Sequence, residues 1–514
     1  MTSGPAPAAV AVLPGAPAPE AVFERIAHLP YALWLDTAAP GGTRGWSFVA
    51  ADPFGVLQAR GGHATWLTDG GVESLPGPPL GTVAELLGRY ATDAASPTPF
   101  GGGAAGFIGY EAARTLERLP PAPPADSGLP DLHLAFYDVV AGWNHRSGEC
   151  LVVSTGRPER GARRHGLARD RLAAAVEWVS GASVPAPRLG GDDPGGTSPL
   201  STRIPRRRVE GLPWLASTAS RAEYEESVGR VIRRIRAGEV YQVNLSQRFC
   251  ARTEATPFGL HRALRTASPA PYAAVVRVGD ATVLSSSPER FLRLDRGGRV
   301  ETRPIKGTRP RGADEAADAA LAAELLASPK DRAENLMIVD LLRNDLSRVC
   351  RPGSVHVPAL FRLESWATVH HLVSVVRGRL RDGVGPAELL AATFPSGSVT
   401  GAPKIRAMEM ISELERVARG PYCGAIGYFA FDGRIDLSVA IRIVVLERGR
   451  ATFHAGGGIV HDSDPAEEYL ETLAKARGIT SALAAVGRAD VPIAPTATAP
   501  DARTTAGHVA EERR

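Results

Sequence analysis

The segment HAGGGIVHDSDPAEEYLETLAKA, His454 to Ala476, runs from a strand-like start through three glycines and an acidic loop into a helical pattern. Asp464 is placed to cap the helix, and Pro465 falls in its first turn, where a missing N–H is tolerated. Glu468, Glu471 and Lys475 then recur at helical spacing and share one face. Because the helix does not open directly on the glycines, the segment does not match a dinucleotide-binding or P-loop motif.

A second helical pattern, DRAENLMIVDLLRNDL, covers Asp331 to Leu346 and carries Glu334 near its start. Its apolar residues Leu336, Val339, Leu342 and Leu346 recur at helical spacing. One carboxylate from each of the two helices is enough to hold Mg²⁺ when substrate oxygens and waters complete six ligands. Taken alone, both helices also fit exposed, salt-bridged surface helices.

Composition limits the class of protein. The chain has 514 residues, 44% of them hydrophobic, and 59 basic against 55 acidic residues give a net charge of +4. The basic residues are dispersed among the acidic ones, so we expect neither nucleic acid nor a membrane surface as partner. The four cysteines form no CxxC pair, which favours a reducing cytoplasm, and no signal peptide or apolar run long enough to span a bilayer is recognisable.

The patterning of strands and helices is mixed α and β, and composition divides the chain into five parts. Residues 181–213 are rich in Gly, Pro, Ser and Arg and lack apolar periodicity, so they are predicted to be a linker. The Ala/Pro-rich ends are predicted to be disordered. The expected parts are a disordered lead (1–20), an amino-terminal region (21–180), a linker (181–213), a catalytic region (214–485) and a disordered tail (486–514).

Lysine is the scarce residue. Only Lys306, Lys330, Lys404 and Lys475 are lysines; every other basic side chain is arginine. A codon bias toward arginine explains why lysine is scarce. It does not explain why Lys306 lies in the segment PIKGT, between a proline and a glycine. Lysine, unlike arginine, can become a neutral nucleophile. Lys306 is therefore a candidate catalytic residue.

Other candidates lie in short motifs of the carboxy-terminal half. Glu289 follows a proline at the end of a strand, where partial burial would raise its pKa and suit a general acid, although a helix-start glutamate is the simpler alternative. The adjacent His370 and His371 would face opposite sides of a strand, and no third ligand lies at zinc spacing. Tyr422 and Arg442 interrupt apolar strands, and an inward arginine needs an anion such as a carboxylate, whereas an outward one would only be solvated.

Nine segments resemble those of the chorismate-utilising enzymes and occur in the family's order over about residues 220–480. They are GEVYQVNLSQRF, SPERF, PIKGTRPRG, DRAENLMIVDLLRNDL, HHLVS, FPSGSVTGAPK, RGPYCGAIGYF, IDLSVAIRI and HAGGGIVHDSDPAEEYLETLAKA. The resemblance implies an α+β fold with a large two-layered, sandwich-like antiparallel β-sheet core and helices outside. The amino-terminal segments WLDT, RGWSFVAADP and GGGAAGFIGYE also resemble the ammonia-using members.

Two positions divide this family. Gln242 stands where the water-adding members carry a lysine base, so the resemblance implies ammonia as the nucleophile. Lys306 matches the lysine of the aminodeoxychorismate synthases, whereas anthranilate synthases resemble PIAGT. The resemblance therefore implies the large component that forms 4-amino-4-deoxychorismate, on the route to 4-aminobenzoate and folate. The large component of anthranilate synthase is the alternative, and a regulatory module that binds without turnover is a third hypothesis.

The resemblance also implies roles for individual residues. Lys306 is expected as the covalent nucleophile, Glu289 as the general acid and His371 as an orienting group. Mg²⁺ is the implied cofactor, and a separate glutamine amidotransferase subunit is the implied source of ammonia, since no cysteine here has the flanks of a glutaminase nucleophile. The implied metal ligands are Glu334, Glu468 and Glu471; the implied substrate-binding residues are Gln242, Thr400, Tyr422, Arg442, Gly456, Gly457, Gly458 and Lys475.

Overall fold

The computed structural model describes residues 9–38, 45–190, 204 and 206–487. Strands dominate these ranges, and every pairing between them is antiparallel. The strands are β1 (Ala9–Leu13), β2 (Leu33–Asp36), β3 (Trp46–Ala50), β4 (Gly55–Arg60), β5 (His63–Thr68), β6 (Gly71–Leu75), β7 (Gly103–Ile108), β8 (Leu132–Tyr137), β9 (Val139–Asn144), β10 (Cys150–Ser154), β11 (Arg207–Val209), β12 (Leu212–Ser217), β13 (Gln242–Arg252), β14 (Tyr272–Val278), β15 (Ala281–Ser287), β16 (Arg290–Leu294), β17 (Arg299–Arg303), β18 (Ile305–Pro310), β19 (His356–Ser365), β20 (Val369–Arg379), β21 (Gly401–Ala402), β22 (Ala425–Ala430), β23 (Ile435–Val439), β24 (Ile443–Glu447) and β25 (Arg450–Ile459).

The helices begin and end where local chemistry predicts. Ser220 accepts a hydrogen bond from the Glu223 N–H, and the Glu223 side chain accepts from the Ser220 N–H, which is a capping box. Asp464 caps the last helix, and Pro465 is its first residue. The helices are α1 (Pro19–Ile26), α2 (Pro79–Tyr90), α3 (Gly161–Ser180), α4 (Arg221–Arg236), α5 (Pro257–Ala267), α6 (Glu315–Ala327), α7 (Pro329–Ser347), α8 (Pro386–Thr393), α9 (Lys404–Leu414) and α10 (Pro465–Val486).

Two large sheets contain all of these strands. The first sheet has the order β1-β10-β9-β3-β2-β14-β15-β24-β25-β13-β12-β11, with β21 added beside β13. The second has the order β18-β20-β17-β16-β23-β22-β7-β8-β4-β5-β6, with β19 added beside β20. Each sheet combines strands from before residue 155 with strands from after residue 240.

The main core lies between the two sheets. Phe48 of β3 contacts Tyr428 of β22 with ring centroids 5.8 Å apart, which joins the first sheet to the second. A second cluster lies on the outer face of the first sheet under α1, α3, α5 and α10. The helices α2, α6, α7 and α8 pack on the second sheet and on each other. The expected α+β fold, with a sandwich-like pair of antiparallel sheets and helices outside, is thus confirmed.

Three expectations about the organisation of the chain need correction. Residues 9–13 of the expected disordered lead form β1, which pairs with β10, and α1 begins at Pro19. The linker prediction is wrong at its carboxyl end, where β11 pairs with β12. Arg188, also in the expected linker, forms ion pairs with Asp52 and Asp138. The Ala/Pro-rich lead hid β1 because its partner β10 is distant in sequence, and the composition of the linker hid β11 although its partner β12 follows directly.

The division into regions 21–180 and 214–485 does not correspond to two separate folded units, because β2 pairs with β14 and β7 pairs with β22. Residues 1–8, 191–203, 205 and 488–514 lie outside the described ranges, as does nearly all of the expected disordered tail. In α7 the predicted apolar positions Val339, Leu342 and Leu346 are buried, whereas Leu336 is 46% exposed.

Candidate active site

Lys306 lies where both sheets and two helices meet. It is the second residue of β18, whose neighbour β20 carries His371. Lys306 is close enough to the carboxyl groups of Glu289, Glu334 and Glu471 to lower the pKa of each. Its Nζ would be 3.2 Å from a Cβ placed on Gly458 of β25. Groups from four distant parts of the sequence therefore converge on one amine.

Glu289 is buried between β15 and β16, with only 4% of its surface exposed. Burial raises its pKa to about 7, although Ser398, Lys306 and the backbone of Ile305 each partly offset the shift. A carboxyl group with this pKa is substantially protonated near neutral pH, as a general acid must be. The predicted burial of Glu289 and its raised pKa are confirmed.

His371 supports the turn that carries Lys306. Its Nδ1 is 2.9 Å from the hydroxyl of Thr308, and its ring also hydrogen-bonds the backbone of Gly307. Burial lowers its pKa to about 3, and the charge of Arg442 lowers it further, so the imidazole is neutral. His370, on the opposite face, contacts Asp318 instead. Only one of the two histidines enters this site, as strand alternation predicts.

Gln242 begins β13 and is almost fully buried. Its Nε2 occupies the space in which a Cβ on Gly458 would stand, and its Oε1 has no hydrogen-bond partner among the described residues. Asn244, two residues along the same face, likewise has a buried Nδ2 without a described partner. Buried polar atoms are rarely left unsatisfied in proteins, so these two amides mark a place where a polar ligand or water belongs.

The loop before α9 brings a hydroxyl to the site for which no role was predicted from the sequence. Ser398 hydrogen-bonds the side chain of Glu289. Thr400, two residues later, is buried, and its hydroxyl donates to the carbonyl of Ser396 at 3.1 Å. The substrate-binding role of Thr400 stays a prediction.

Arg442 is a cation without a counter-ion. It lies in the turn between β23 and β24, and it forms no ion pair with any described residue. Burial of its guanidinium lowers its pKa, and no carboxylate opposes that shift. Its backbone is in the left-handed region, with φ +51°. A partly buried cation without an ion pair to any described residue, held in a strained backbone, indicates a site for an anionic ligand.

Tyr422 belongs to a tightly held loop. Its ring is 5% exposed and stacks on His454 with centroids 4.9 Å apart and an angle of 8°. Arg419 fixes the loop by donating to the carbonyls of Val399 at 3.0 Å and Asn244 at 2.6 Å. No role was predicted for Arg419, which is the first residue of the RGPYC motif.

The three glycines of β25 present an open strand edge. On one side they pair with β13, Gly456 opposite Ser246 and Gly458 opposite Asn244. On the other side, the pairing with β24 reaches only from Arg450 to Thr452. The outward N–H groups next to the glycines are therefore not used by a described strand, which suits them to an anion.

Two carboxylates of α10 lie around Gly457, and Glu334 of α7 is near enough to Glu471 for that charge to raise its pKa. A Cβ on Gly457 would be 2.7 Å from Glu468 Oε2 and 3.1 Å from Glu471 Oε1, so both oxygens approach one point. Ser463 donates to Glu468 Oε1 at 2.6 Å, which leaves the buried Oε2 without a described partner. Burial raises the pKa of Glu468 and that of Glu334. Such oxygens fit a hard divalent cation such as Mg²⁺.

Lys475 stands beside this acidic cluster. Its Nζ contacts Glu471 Oε1 at 2.6 Å and donates to the Gly456 carbonyl at 2.8 Å. Burial by itself would raise the pKa of Glu471, but Lys475 and Lys306 hold it below its usual range. No group of three His, Cys, Asp or Glu side chains within the described ranges is arranged to hold a metal on its own. A metal here would need ligands from the substrate.

None of the helices in the described ranges combines the length and the apolar character needed to cross a bilayer.

Comparison with known proteins identifies the family to which this site belongs. The model of the chorismate binding enzyme family matches residues 32–481. Aminodeoxychorismate synthase component 1 of Salmonella typhimurium is 39% identical over 474 residues, covering 91% of this chain and 97% of that protein. Anthranilate synthase component 1 of Thermus thermophilus is 42% identical over 385 residues, 75% of this chain and 78% of that protein.

A solved structure supports the relationship. Anthranilate synthase component I from Streptococcus pneumoniae superposes with a TM-score of 0.72 at 33% identity, covering 86% of this chain and 92% of that one. Relatives with the two different activities are about equally similar, so similarity alone does not separate them. The sheets, the arrangement around Lys306 and the match over residues 32–481 together show that this chain belongs to the chorismate binding enzymes.

Proposed function

We propose that this chain converts chorismate and ammonia to 4-amino-4-deoxychorismate. The observation that carries the proposal is the position of the Lys306 amine. Its charge acts on the carboxyl groups of Glu289, Glu334 and Glu471. Its Nζ and the Nε2 of Gln242 both lie beside Gly458. An alanine at this position, as in the PIAGT of the anthranilate synthases, would place no nucleophile there.

The chemistry consists of two displacements. The nitrogen lone pair of Lys306 bonds to C2 of the ring, both ring double bonds shift, and the C4 hydroxyl leaves as water after taking a proton from Glu289. Ammonia then bonds to C4, both double bonds shift back, and the C2–Nζ bond breaks to release Lys306. The raised pKa of Glu289, about 7, keeps the needed proton available. His371 holds the β18 turn that aims Lys306.

Chorismate is a dianion, and the site offers separate places for its two carboxylates. Arg442, Tyr422 and the open edge at Gly456, Gly457 and Gly458 suit the enolpyruvyl carboxylate, because Arg442 has no ion-pair partner among the described residues. Thr400 shapes the loop that holds Ser398 against Glu289. Lys475 contributes positive charge beside Glu471.

The ring carboxylate would lie near the carboxylates of Glu334, Glu468 and Glu471, which requires a cation between them. Mg²⁺ held by Glu334 and Glu471, with Glu468 close by, would neutralise that repulsion. The unpartnered Oε2 of Glu468 and the approach of Glu471 Oε1 to the same point support this assignment.

Ammonia is the proposed nucleophile because Gln242 cannot act as a base toward water. Its Oε1, buried and without a described partner, can accept a hydrogen bond from ammonia. We propose a separate glutamine amidotransferase subunit as the source, in line with the name component 1 borne by the Salmonella relative. We propose the cytoplasm as its location, because the four cysteines form no CxxC pair and suit a reducing compartment.

The decisive experiment is a product assay with chorismate, MgCl₂ and ammonium chloride at pH 8. We expect 4-aminobenzoate after a lyase for aminodeoxychorismate is added. Anthranilate as the sole product would assign the chain to the other branch instead, and tight chorismate binding without any turnover would make it a regulatory module.

A second experiment tests the covalent route. Lys306→Ala is expected to lose 4-amino-4-deoxychorismate formation by about 10²-fold or more, because Lys475, the other lysine of the site, is held by Glu471 and the Gly456 carbonyl. Arg230→Ala, which removes an exposed cation of α4, serves as the control and should retain activity. Full activity in Lys306→Ala would end the covalent proposal without touching the family assignment.

A further inference from the structure

A cavity of about 680 Å³ lies beside Tyr422, apart from the catalytic groups. Its lining includes neither Lys306 nor Glu289, nor any of the three glutamates. Its walls come from the β4–β5 turn (60–62), the start of α2, the Pro-rich segment 122–131, the loop 418–422 and the strands β24 and β25. This volume falls within the usual range for sites that hold small molecules.

Four arginines and three carboxylates line the cavity, namely Arg60, Arg114, Arg248 and Arg419 with Glu111, Asp126 and Asp131. Arg248 forms an ion pair with Asp126, and Arg419 pairs with Glu415 at 2.6 Å. Arg60 donates to the carbonyl of Gly128, and Arg114 donates to the hydroxyl of Ser412 at 2.9 Å. The remaining wall is mainly apolar and contains Ile443, Val445, Phe453, Leu129, Pro123 and Pro421. Because the charges of the lining nearly balance, the cavity favours an uncharged ligand over a strongly charged one.

One polar side chain on the wall lacks a partner. His454 is 7% exposed, and its Nε2 makes no hydrogen bond to any described residue. Burial and the nearby Arg248 and Arg419 hold its pKa far below the usual value, so the ring is neutral and can offer a nitrogen lone pair. A buried imidazole nitrogen without a partner, on the wall of an apolar cavity, points to a ligand with one hydrogen-bond donor.

His454 also connects the cavity to the proposed chorismate site. Its ring stacks on Tyr422 at 4.9 Å, and Tyr422 itself lines the cavity. The backbone N–H groups of Arg419 and Gly420, in the same loop, donate to Glu111 on the cavity wall at 2.9 and 2.8 Å. A molecule in the cavity would therefore touch the loop that positions Tyr422.

We propose that this cavity is a second binding site, for a small uncharged aromatic molecule that donates one N–H or O–H hydrogen bond to His454. The apolar side chains of β24 and β25 cover the faces of the ring system. Occupancy changes the affinity for chorismate through Tyr422, and by linkage chorismate changes the affinity for the occupant by the same factor. Only this coupling, and not the binding itself, rests on the proposed function.

The test is calorimetric titration of the full chain with indole and with 1-methylindole, which lacks the N–H. We expect indole to bind and 1-methylindole to bind about tenfold more weakly, as the loss of one hydrogen bond implies. In His454→Phe, which keeps an aromatic ring against Tyr422, indole should bind no better than 1-methylindole. Equal affinity of both probes for the unmodified protein would overturn the proposed hydrogen bond.

Filling the cavity tests its location. Val445→Trp and Ala122→Trp should each remove indole binding, and Ala122 is exposed, so its variant is expected to fold. Ala174→Trp, on the exposed face of α3, is the matched control and should bind indole normally. Undiminished binding in both filling variants would place the probe elsewhere and overturn the proposal.

The coupling has its own readout. Saturating indole should change the KM of chorismate by about fivefold or more in the unmodified protein and leave it unchanged in Ala122→Trp. An unchanged KM in the unmodified protein, despite measured indole binding, would overturn the connection through Tyr422. A chain that binds indole as expected but makes no product from chorismate would contradict the proposed function and leave the binding site standing.

Discussion

Glu289 is a carboxyl group with 4% of its surface exposed, hydrogen-bonded to Ser398 and facing the charge of Lys306. Glu289→Gln keeps the shape and the hydrogen-bonding capacity but has no acidic proton. We expect kcat to fall by about 10²–10⁴-fold, with a smaller change in KM. Steady-state kinetics with ammonium as nitrogen donor measures both constants, and an unaltered kcat would contradict the role of Glu289 as the acid.

The pH dependence of kcat follows from the titration of Glu289. The pKa of Glu289 is raised to about 7, so its proton is present below that pH and is lost as the pH rises through it. At a fixed concentration of free ammonia, kcat should therefore decrease on the alkaline side with an apparent pKa near 7. The residual activity of Glu289→Gln should lack this decrease, and a decrease that persists in the variant would assign it to another group.

Arg442 combines an unpaired cation with a φ of +51°, so two costs to stability meet at one residue. Arg442→Gly and Arg442→Ala both remove the guanidinium, and both should raise the KM of chorismate by about tenfold or more. The glycine variant should unfold at a higher temperature than the alanine variant, because glycine avoids a left-handed strain of about 1 kcal/mol. Thermal unfolding without ligand measures the difference; equal melting temperatures would show that this strain is absent.

At the scale of the element, β25 places its glycines where a side chain would disturb α10. A Cβ on Gly457 would come within 2.7 Å of Glu468 Oε2 and 3.1 Å of Glu471 Oε1. Gly457→Ala should therefore raise the MgCl₂ concentration needed for half-maximal activity by about tenfold, because the carboxylates must move apart. Gly166→Ala in α3, where an added Cβ meets nothing within 4 Å, is the control. Unchanged MgCl₂ dependence would remove these two carboxylates from the metal site.

Local sequence rules predicted the helices that carry this site. The Asp464–Pro465 start of α10 was predicted from residue type and spacing alone, because those contacts span only a few residues. The same rules missed β1, whose partner strand is distant in sequence, and β11, which lies in a segment whose composition is typical of a linker. β1 consists of small residues in an Ala/Pro-rich context, and only pairing with β10, some 140 residues later, makes it a strand.

The whole molecule depends on both halves of the chain. β2 pairs with β14 and β7 pairs with β22, so each sheet would lose five strands and gain an open edge, at β14 or β22, if the first 190 residues were removed. A fragment of residues 214–487 should therefore fail to fold, because its exposed strand edges and the inner faces of β14 and β22 would meet water. Circular dichroism and size-exclusion chromatography check this, and a monomeric, cooperatively melting fragment would contradict it.

Residue types and their order determined the family, the α+β class and the choice of Lys306, Glu289 and Arg442, because motifs and helix caps are short-range features of a sequence. Tertiary structure decided that Ser398 reaches Glu289, that Arg442 has no ion-pair partner among the described residues, and that a cavity adjoins Tyr422. These outcomes depend on which strands pair across hundreds of residues. The burial that shifts a pKa or leaves a charge unpaired exists only after the two sheets have packed together.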